Sequence, residues 1–168
     1  LAAAVEAANA AVIEAALNGL GKPGMGCTAT CAYIENDTLA IAHVGDSRAY
    51  LLHEGTLIRV TRDHSYVEEL VDAGEITADE ARVHPNRSVI TRALGSDPAM
   101  YADHFTLHVE EGDRLILCSD GLSNQMADQE ILFEVVHGAQ KADCCQRLLD
   151  IAKSRGAPDN VTSVLIAL

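Results

Sequence analysis

The sequence predicts an α+β fold built on antiparallel sheet. Four short β-like runs follow one another between residues 28 and 60, joined by tight turns. Helical periodicity is confined to the N-terminal segment, a short insert after residue 65 and a later pair of segments. Strands grouped together with helices at intervals are what layered α+β architectures require, whereas a parallel array would alternate strand with crossover helix.

Taken in order, Leu1, Val5, Ala8 and Val12 recur at helical spacing, with Glu6 and Glu14 on another face, until Asn18-Gly19 closes the helix. A glycine-rich stretch, 19–26, leads into a strand over 28–34. Asn36-Asp37 turns it into a second strand, 39–44. A third strand, 49–52, follows Gly45-Asp46-Ser47, and Glu54-Gly55 turns into a fourth, 57–60. Ser65-x-x-Glu68 and Thr77-x-x-Glu80 have the pattern of capping boxes, so 65–82 is a helical insert broken at Gly74. Residues 89–93 return to strand. Phe105, Leu107 and Val109 alternate with polar residues as in a half-exposed strand, and 115–118 is an apolar strand after the Glu111-Gly112 turn. A helix from about Asp128 is expected to bury Ile131, Leu132, Val135 and Val136. A second is expected to gather Ala142, Cys145, Leu148, Leu149 and Ala152 on one face and to end before Gly156. The last strand covers 161–167. No repeat or linker divides the 168 residues, so one domain is expected.

A net charge of −13 argues against a nucleic-acid partner, because a polyanion needs a basic surface. Glu6 and Glu14 interrupt the apolar N-terminal run well before the ~20 residues that a membrane span needs, and no basic segment marks a signal peptide. The chain opens at Leu1, without Met and inside a helical pattern, and is expected to be truncated or processed upstream. Its five cysteines, an odd number without Cys-x-x-Cys, indicate neither a disulfide framework nor a zinc ribbon. A reducing cytoplasm is the expected compartment. Cys27 and Cys31, at an even separation, are expected to share a strand face as small apolar residues.

Three segments place Asp beside Gly or Asn where an apolar strand meets a loop. They are His43-Val44-Gly45-Asp46-Ser47-Arg48, Cys118-Ser119-Asp120-Gly121 and Ala157-Pro158-Asp159-Asn160. Singly, each Asp is accounted for as a turn residue. Converging, they would form a hard oxygen site suited to Mg²⁺ or Mn²⁺ rather than zinc. Arg48 is expected to pair with nearby carboxylates.

Six segments in series carry a resemblance. Gly24-Met25-Gly26-Cys27-Thr28, the run 43–50, Thr61-Arg62-Asp63-His64-Ser65, Thr91-Arg92-Ala93-Leu94-Gly95, Leu117-Cys118-Ser119-Asp120-Gly121-Leu122-Ser123 and Pro158-Asp159-Asn160-Val161-Thr162 occur in that order. Together they resemble the bacterial type 2C (PPM family) metal-dependent serine/threonine protein phosphatases over almost the whole chain. The resemblance implies a four-layer α-β-β-α sandwich of two antiparallel sheets flanked by helices, here without its N-terminal strands. It implies hydrolysis of phosphoserine and phosphothreonine in proteins by a metal-activated water, with two and up to three Mn²⁺ or Mg²⁺ ions. Asp120 and Asp159 match carboxylates of the two-metal centre. Asp46 matches a ligand of a third, weaker ion that shares Asp120, and Ser88 matches the flap position that reaches it. The flap corresponds to about 65–88, with His64 and His84 as candidates for the substrate edge. The family's upstream Asp-Gly-x-Gly-Gly-His segment and Arg, which supply a bridging ligand, a general acid and a phosphate clamp, do not occur in this sequence. The implied partners are phosphorylated proteins made by a bacterial Ser/Thr kinase. The competing expectation is a regulatory module that keeps the fold and binds phosphoproteins without turnover. Cys118 is no cysteine-phosphatase nucleophile, since Asn124 stands where a Cys-x₅-Arg loop has Arg.

Overall fold

The computed structural model describes residues 1–137 and 143–168. Along the chain run α1 (Ala2–Leu17), β1 (Ala29–Glu35), β2 (Thr38–Val44), β3 (Arg48–His53), β4 (Thr56–Arg59), α2 (Tyr66–Asp72), α3 (Ala78–Val83), β5 (Asp103–His108), β6 (Arg114–Cys118), α4 (Asp120–Ser123), α5 (Asp128–His137), α6 (Cys144–Ser154) and β7 (Ser163–Ala167). The strands form two antiparallel sheets, ordered β1-β2-β5 and β4-β3-β6-β7. Residues group into two compact units, Leu1–Asp46 with Arg62–Leu107, and Ser47–Thr61 with His108–Leu168.

In the first unit, β1 and β2 pair from Ala29↔Val44 to Glu35↔Thr38 across a turn in which Asn36 takes a positive φ of 52°. Val5, Ala42, Val44, Leu94, Met100 and Ala102 form its core. Helix α1 presents a different face from the one expected. Ala8 is exposed, whereas Asn9 is buried at 3 % exposure. The Asn9 amide meets both demands of an adjoining loop, donating to Asp97 O at 2.9 Å and accepting from Gly95 N–H at 2.7 Å. A buried amide with both ends engaged escapes the cost of an unpaired polar group.

The insert forms as its caps predict. Ser65 Oγ accepts from Glu68 N–H, and Thr77 with Glu80 completes a reciprocal capping box. Gly74, at φ 71°, ends α2 with Glu75 N–H returning to Leu70 O. Residues 89–93, expected as a strand, are irregular: Ile90 makes an isolated bridge with Ser65, and Leu94, just beyond, makes another with Cys27. Val89 and Thr91 bond to residues 64–66, but the next residue beyond the stretch, Leu94, turns to Cys27, so no single ladder forms. The shared face expected of Cys27 and Cys31 is also absent. Cys27 is exposed and precedes β1, while Cys31 on β1 is half-buried.

In the second unit, β6 pairs with β3 (Arg48↔Cys118 to Leu52↔Arg114) and with β7 (Arg114↔Ala167 to Cys118↔Ser163). Helices α4, α5 and α6 contribute Leu122, Ile131, Val135, Cys144, Leu148 and Ala152 to a core that includes Tyr50 and Ile116. Val136, expected inside, is 40 % exposed. On α6 the buried stripe is Cys144, Leu148 and Ala152, an i, i+4 series, so Cys144 takes the place expected of Cys145. Ala142 lies outside the described residues. Burial also raises the Cys144 thiol above its ordinary range. Arg48 pairs as expected: its guanidinium lies 3.6 Å from Asp128, which accepts from the buried Tyr50 hydroxyl at 2.9 Å. No described helix is long and apolar enough to cross a membrane.

Candidate functional site

The β6–β7 ladder continues past the strand ends and joins two of the predicted loops. Ser119 N–H donates to Thr162 O at 3.0 Å, Thr162 N–H donates to Ser119 Oγ at 3.0 Å, and Ser119 Oγ donates to Asn160 O at 3.3 Å. Gly121 makes the approach possible: a Cβ there would stand 2.2 Å from Asn160 O. Asp120, the first residue of α4, and Asp159, in the loop before β7, therefore sit on two segments held backbone to backbone at one end of one strand pair. Asp120 is half-buried and accepts from Asn124 Nδ2 at 3.2 Å; Asp159 is exposed and accepts from Asn160 N–H at 2.7 Å. Both are hard oxygen donors, the chemistry that Mg²⁺ and Mn²⁺ select. Among the described residues no group of three or more His, Cys, Asp or Glu could hold a metal on its own. Asp120 and Asp159 thus fit as part of a ligand set rather than as a closed cage.

Asp46, half-buried, directly follows Gly45 and ends the first of the two stretches that make up the first unit. Gly45 has φ 109°, and a Cβ would come 2.3 Å from Thr28 Cγ2, so only glycine fits. Ser88 is exposed after α3, and His84 is half-buried, its ring 6.0 Å from that of Tyr66.

His64, a candidate for the substrate edge, is buried instead, at 7 % exposure. Its Nδ1 accepts from Gly45 N–H at 3.0 Å, and its Nε2 lies 3.1 Å from Asp103 Oδ2. Arg92 donates to Asp103 Oδ1 at 2.7 Å, and its guanidinium lies 4.2 Å over the Tyr101 ring. Burial works against the Asp103 carboxylate, but hydrogen bonds from His64 and Arg92 outweigh it and hold the group below its usual range. Asp103 and Asn9 escape sequence reasoning because neither stands in a motif and their partners are remote in the chain.

His43 is fully buried on β2, with Thr30 Oγ1 at 2.9 Å from Nδ1 and Arg62 O at 3.0 Å from Nε2. Burial first, and then the neighbouring His64, push it down from 6.5 to about 4. A depressed folded-state value favours the native state above pH 6.5, where the ring is neutral in both states, and this advantage is lost as pH falls toward 4. Urea midpoints are expected to decline over that window and to decline less in His43→Gln. Equal slopes in the two proteins would remove His43 as the cause.

Two antiparallel sheets with helices, and aspartates where strand gives way to loop, are the features expected of a domain of the metal-dependent phosphatase type. The profile described as Protein phosphatase 2C matches residues 18–161, and the chain belongs to this family. It is 42 % identical over 166 residues to the serine/threonine protein phosphatase PstP of Mycobacterium tuberculosis, covering 97 % of this chain and 31 % of that protein. It is 36 % identical over 165 residues to the serine/threonine phosphatase stp of Listeria welshimeri, covering 96 % of this chain and 64 % of that one. The chain therefore spans between about a third and two thirds of these relatives. The crystal structure of M. tuberculosis PstP superposes with a TM-score of 0.93 at 40 % identity, over 99 % of this chain and 70 % of that one. The catalytic domain of PstP in complex with two manganese ions superposes at 0.89 with 38 % identity, covering 98 % and 68 %.

Proposed function

We infer that the protein hydrolyses phosphoserine and phosphothreonine in proteins with Mn²⁺ or Mg²⁺. The observation that carries this reading is the backbone-to-backbone packing of the Asp120 and Asp159 loops, which puts two hard-oxygen donors at one strand-pair end in a chain of the protein phosphatase 2C family. These two carboxylates would hold the principal ions, and Asp46 with Ser88 would serve a third, weaker one. A bound divalent ion supplies a water of lowered pKa and neutralises charge on the phosphate. The protein's own part is to orient the carboxylates. Asn124 donates to Asp120, and the Asn160 amide donates to Asp159. The insert, about 65–88 and including His84, serves as a flap for protein substrates, and a bacterial Ser/Thr kinase supplies those substrates.

The alternative reading, a binding module without turnover, gives no reason for carboxylates at these strand ends. The two readings separate on one assay. The protein expressed from its complete gene is expected to hydrolyse p-nitrophenyl phosphate and phosphothreonine peptides with Mn²⁺ or Mg²⁺ and to lose the activity in EDTA. Turnover that survives EDTA overturns the metal reading; tight phosphopeptide binding without turnover favours the module.

A further inference from the structure

His64 grips Gly45 from two sides. Its backbone N–H donates to Gly45 O at 2.7 Å, and its ring Nδ1 accepts from Gly45 N–H at 3.0 Å. Gly45 is the residue before Asp46, and its positive φ and the closeness of Thr28 leave no room for a side chain there. A backbone N–H only donates, so Nδ1 must be the unprotonated nitrogen of the ring, and the proton of the neutral imidazole belongs on Nε2. Asp103 Oδ2 faces Nε2 at 3.1 Å and fixes that choice. Arg92 steadies Asp103 from its other oxygen at 2.7 Å, and its NH1 also lies 3.0 Å from Nε2. With Nε2–H aimed at Asp103, the Arg92 bond that counts is the one to the carboxylate. His43 closes the remaining side, its ring centroid 4.9 Å away. Arg92, Asp103, His64 and Gly45 thus form a continuous chain of hydrogen bonds that ends at the Gly45 N–H, one residue before Asp46, while the His64 backbone N–H holds the carbonyl of the Gly45–Asp46 peptide.

We propose that His64 is a positioning residue, which sets the backbone from which Asp46 projects by accepting the Gly45 amide proton, with Asp103 holding the ring in the tautomer that can accept it. None of the six motifs requires this. Asp103 lies in none of them, and the relay joins the residue directly after β2, the first residue of β5 and the segments at 64 and 92. The proposal rests on the reading of Asp46 as a metal ligand, so its test has one readout independent of metal.

Two variants of similar size separate the ring's two nitrogens. His64→Asn places its Oδ1 near the position of Nδ1 and keeps an acceptor for Gly45 N–H. His64→Gln can place its amide near Nε2 and leaves Gly45 N–H without that acceptor. The first readout, in the metal-free protein, is hydrogen exchange at the Gly45 amide. Protection is expected to persist in wild type and His64→Asn and to fall by about tenfold or more in His64→Gln, the scale of a lost buried hydrogen bond. The second is calorimetric titration with Mn²⁺. The weaker class of sites is expected to loosen by about tenfold in His64→Gln and to be retained in His64→Asn, while the tightest class is unchanged in both. Asp46→Ala is titrated alongside. If Asp46→Ala loses the weaker class but His64→Gln and His64→Asn behave alike in both readouts, the positioning role falls and the reading of Asp46 stands. If His64→Gln exposes the Gly45 amide but neither it nor Asp46→Ala alters Mn²⁺ binding, Asp46 is not a metal ligand and the proposal falls with that reading.

Discussion

Replacing Asp120 or Asp159 by Asn is expected to lower kcat by about 100-fold or more, the scale of removing an electrostatic contact made in the transition state. Asparagine keeps the shape of the side chain and one acceptor oxygen. Asn124 still has an oxygen to donate to at position 120, and the Asn160 amide still has one at position 159. Only the charge is lost. Urea midpoints should accordingly stay near wild type while Mn²⁺ affinity drops, because a neutral amide is a poorer ligand for a hard cation. The double variant is expected to be little worse than the weaker single one, since residues acting as a unit lose their joint effect once. Activity within about threefold of wild type in either single variant would take that carboxylate out of the centre.

Gly121→Ala is expected to cost about 3 kcal/mol of stability, the upper range for overpacking, and to loosen metal binding as well. The added Cβ would lie 2.2 Å from Asn160 O, a backbone atom with little freedom to retreat. Asn160 accepts from Ser119 Oγ, and Thr162 is tied to Ser119 in both directions. Relief must come from parting the two loops, and parting them moves Asp120 relative to Asp159. A urea titration and a Mn²⁺ titration of the same variant check both halves. A variant that is destabilised but binds Mn²⁺ normally would show that the loops' packing serves the fold alone.

The fold was legible wherever local chemistry and tertiary packing agree. The strands around the Asn36 and Glu54-Gly55 turns, the Thr77 capping box and the C-terminus of α1 all lie within two residues of their expected places. Residues 89–93 failed because β-branched composition specifies an extended backbone but not a partner, and here the pairing with 64–66 gives way at Leu94 to a pairing with Cys27. One-turn α4 has no periodicity to detect. Asn9 and Ala8 exchanged places because a hydrophobicity pattern cannot anticipate a buried amide whose partners, Gly95 and Asp97, lie far along the chain. In the site, each Asp alone was indistinguishable from a turn residue. The resemblance of six ordered motifs singled out Asp120 and Asp159, and the structure adds the reason that their loops meet. His64 pointed the other way: a histidine beside Asp63 in a loop looks available, yet the Gly45, Asp103 and Arg92 contacts place it inside.

The closure of the β6 and β7 loops also sets a timetable. Ser119 and Asn160, which meet in that closure, are 41 positions apart, with α4, α5 and α6 between them. At roughly 5–20 residues per second, a ribosome needs on the order of 2–8 s to make the intervening chain. During that interval Asp120 has emerged or is emerging while its counterpart does not yet exist. Pairing β6 with β7 across such a separation is also a non-local event, slow compared with forming the helices between them. The carboxylate pair is consequently complete only after the chain between its members has been made. On the reading of Asp120 and Asp159 as ligands, a nascent chain holds no complete carboxylate pair until residue 159 has been added.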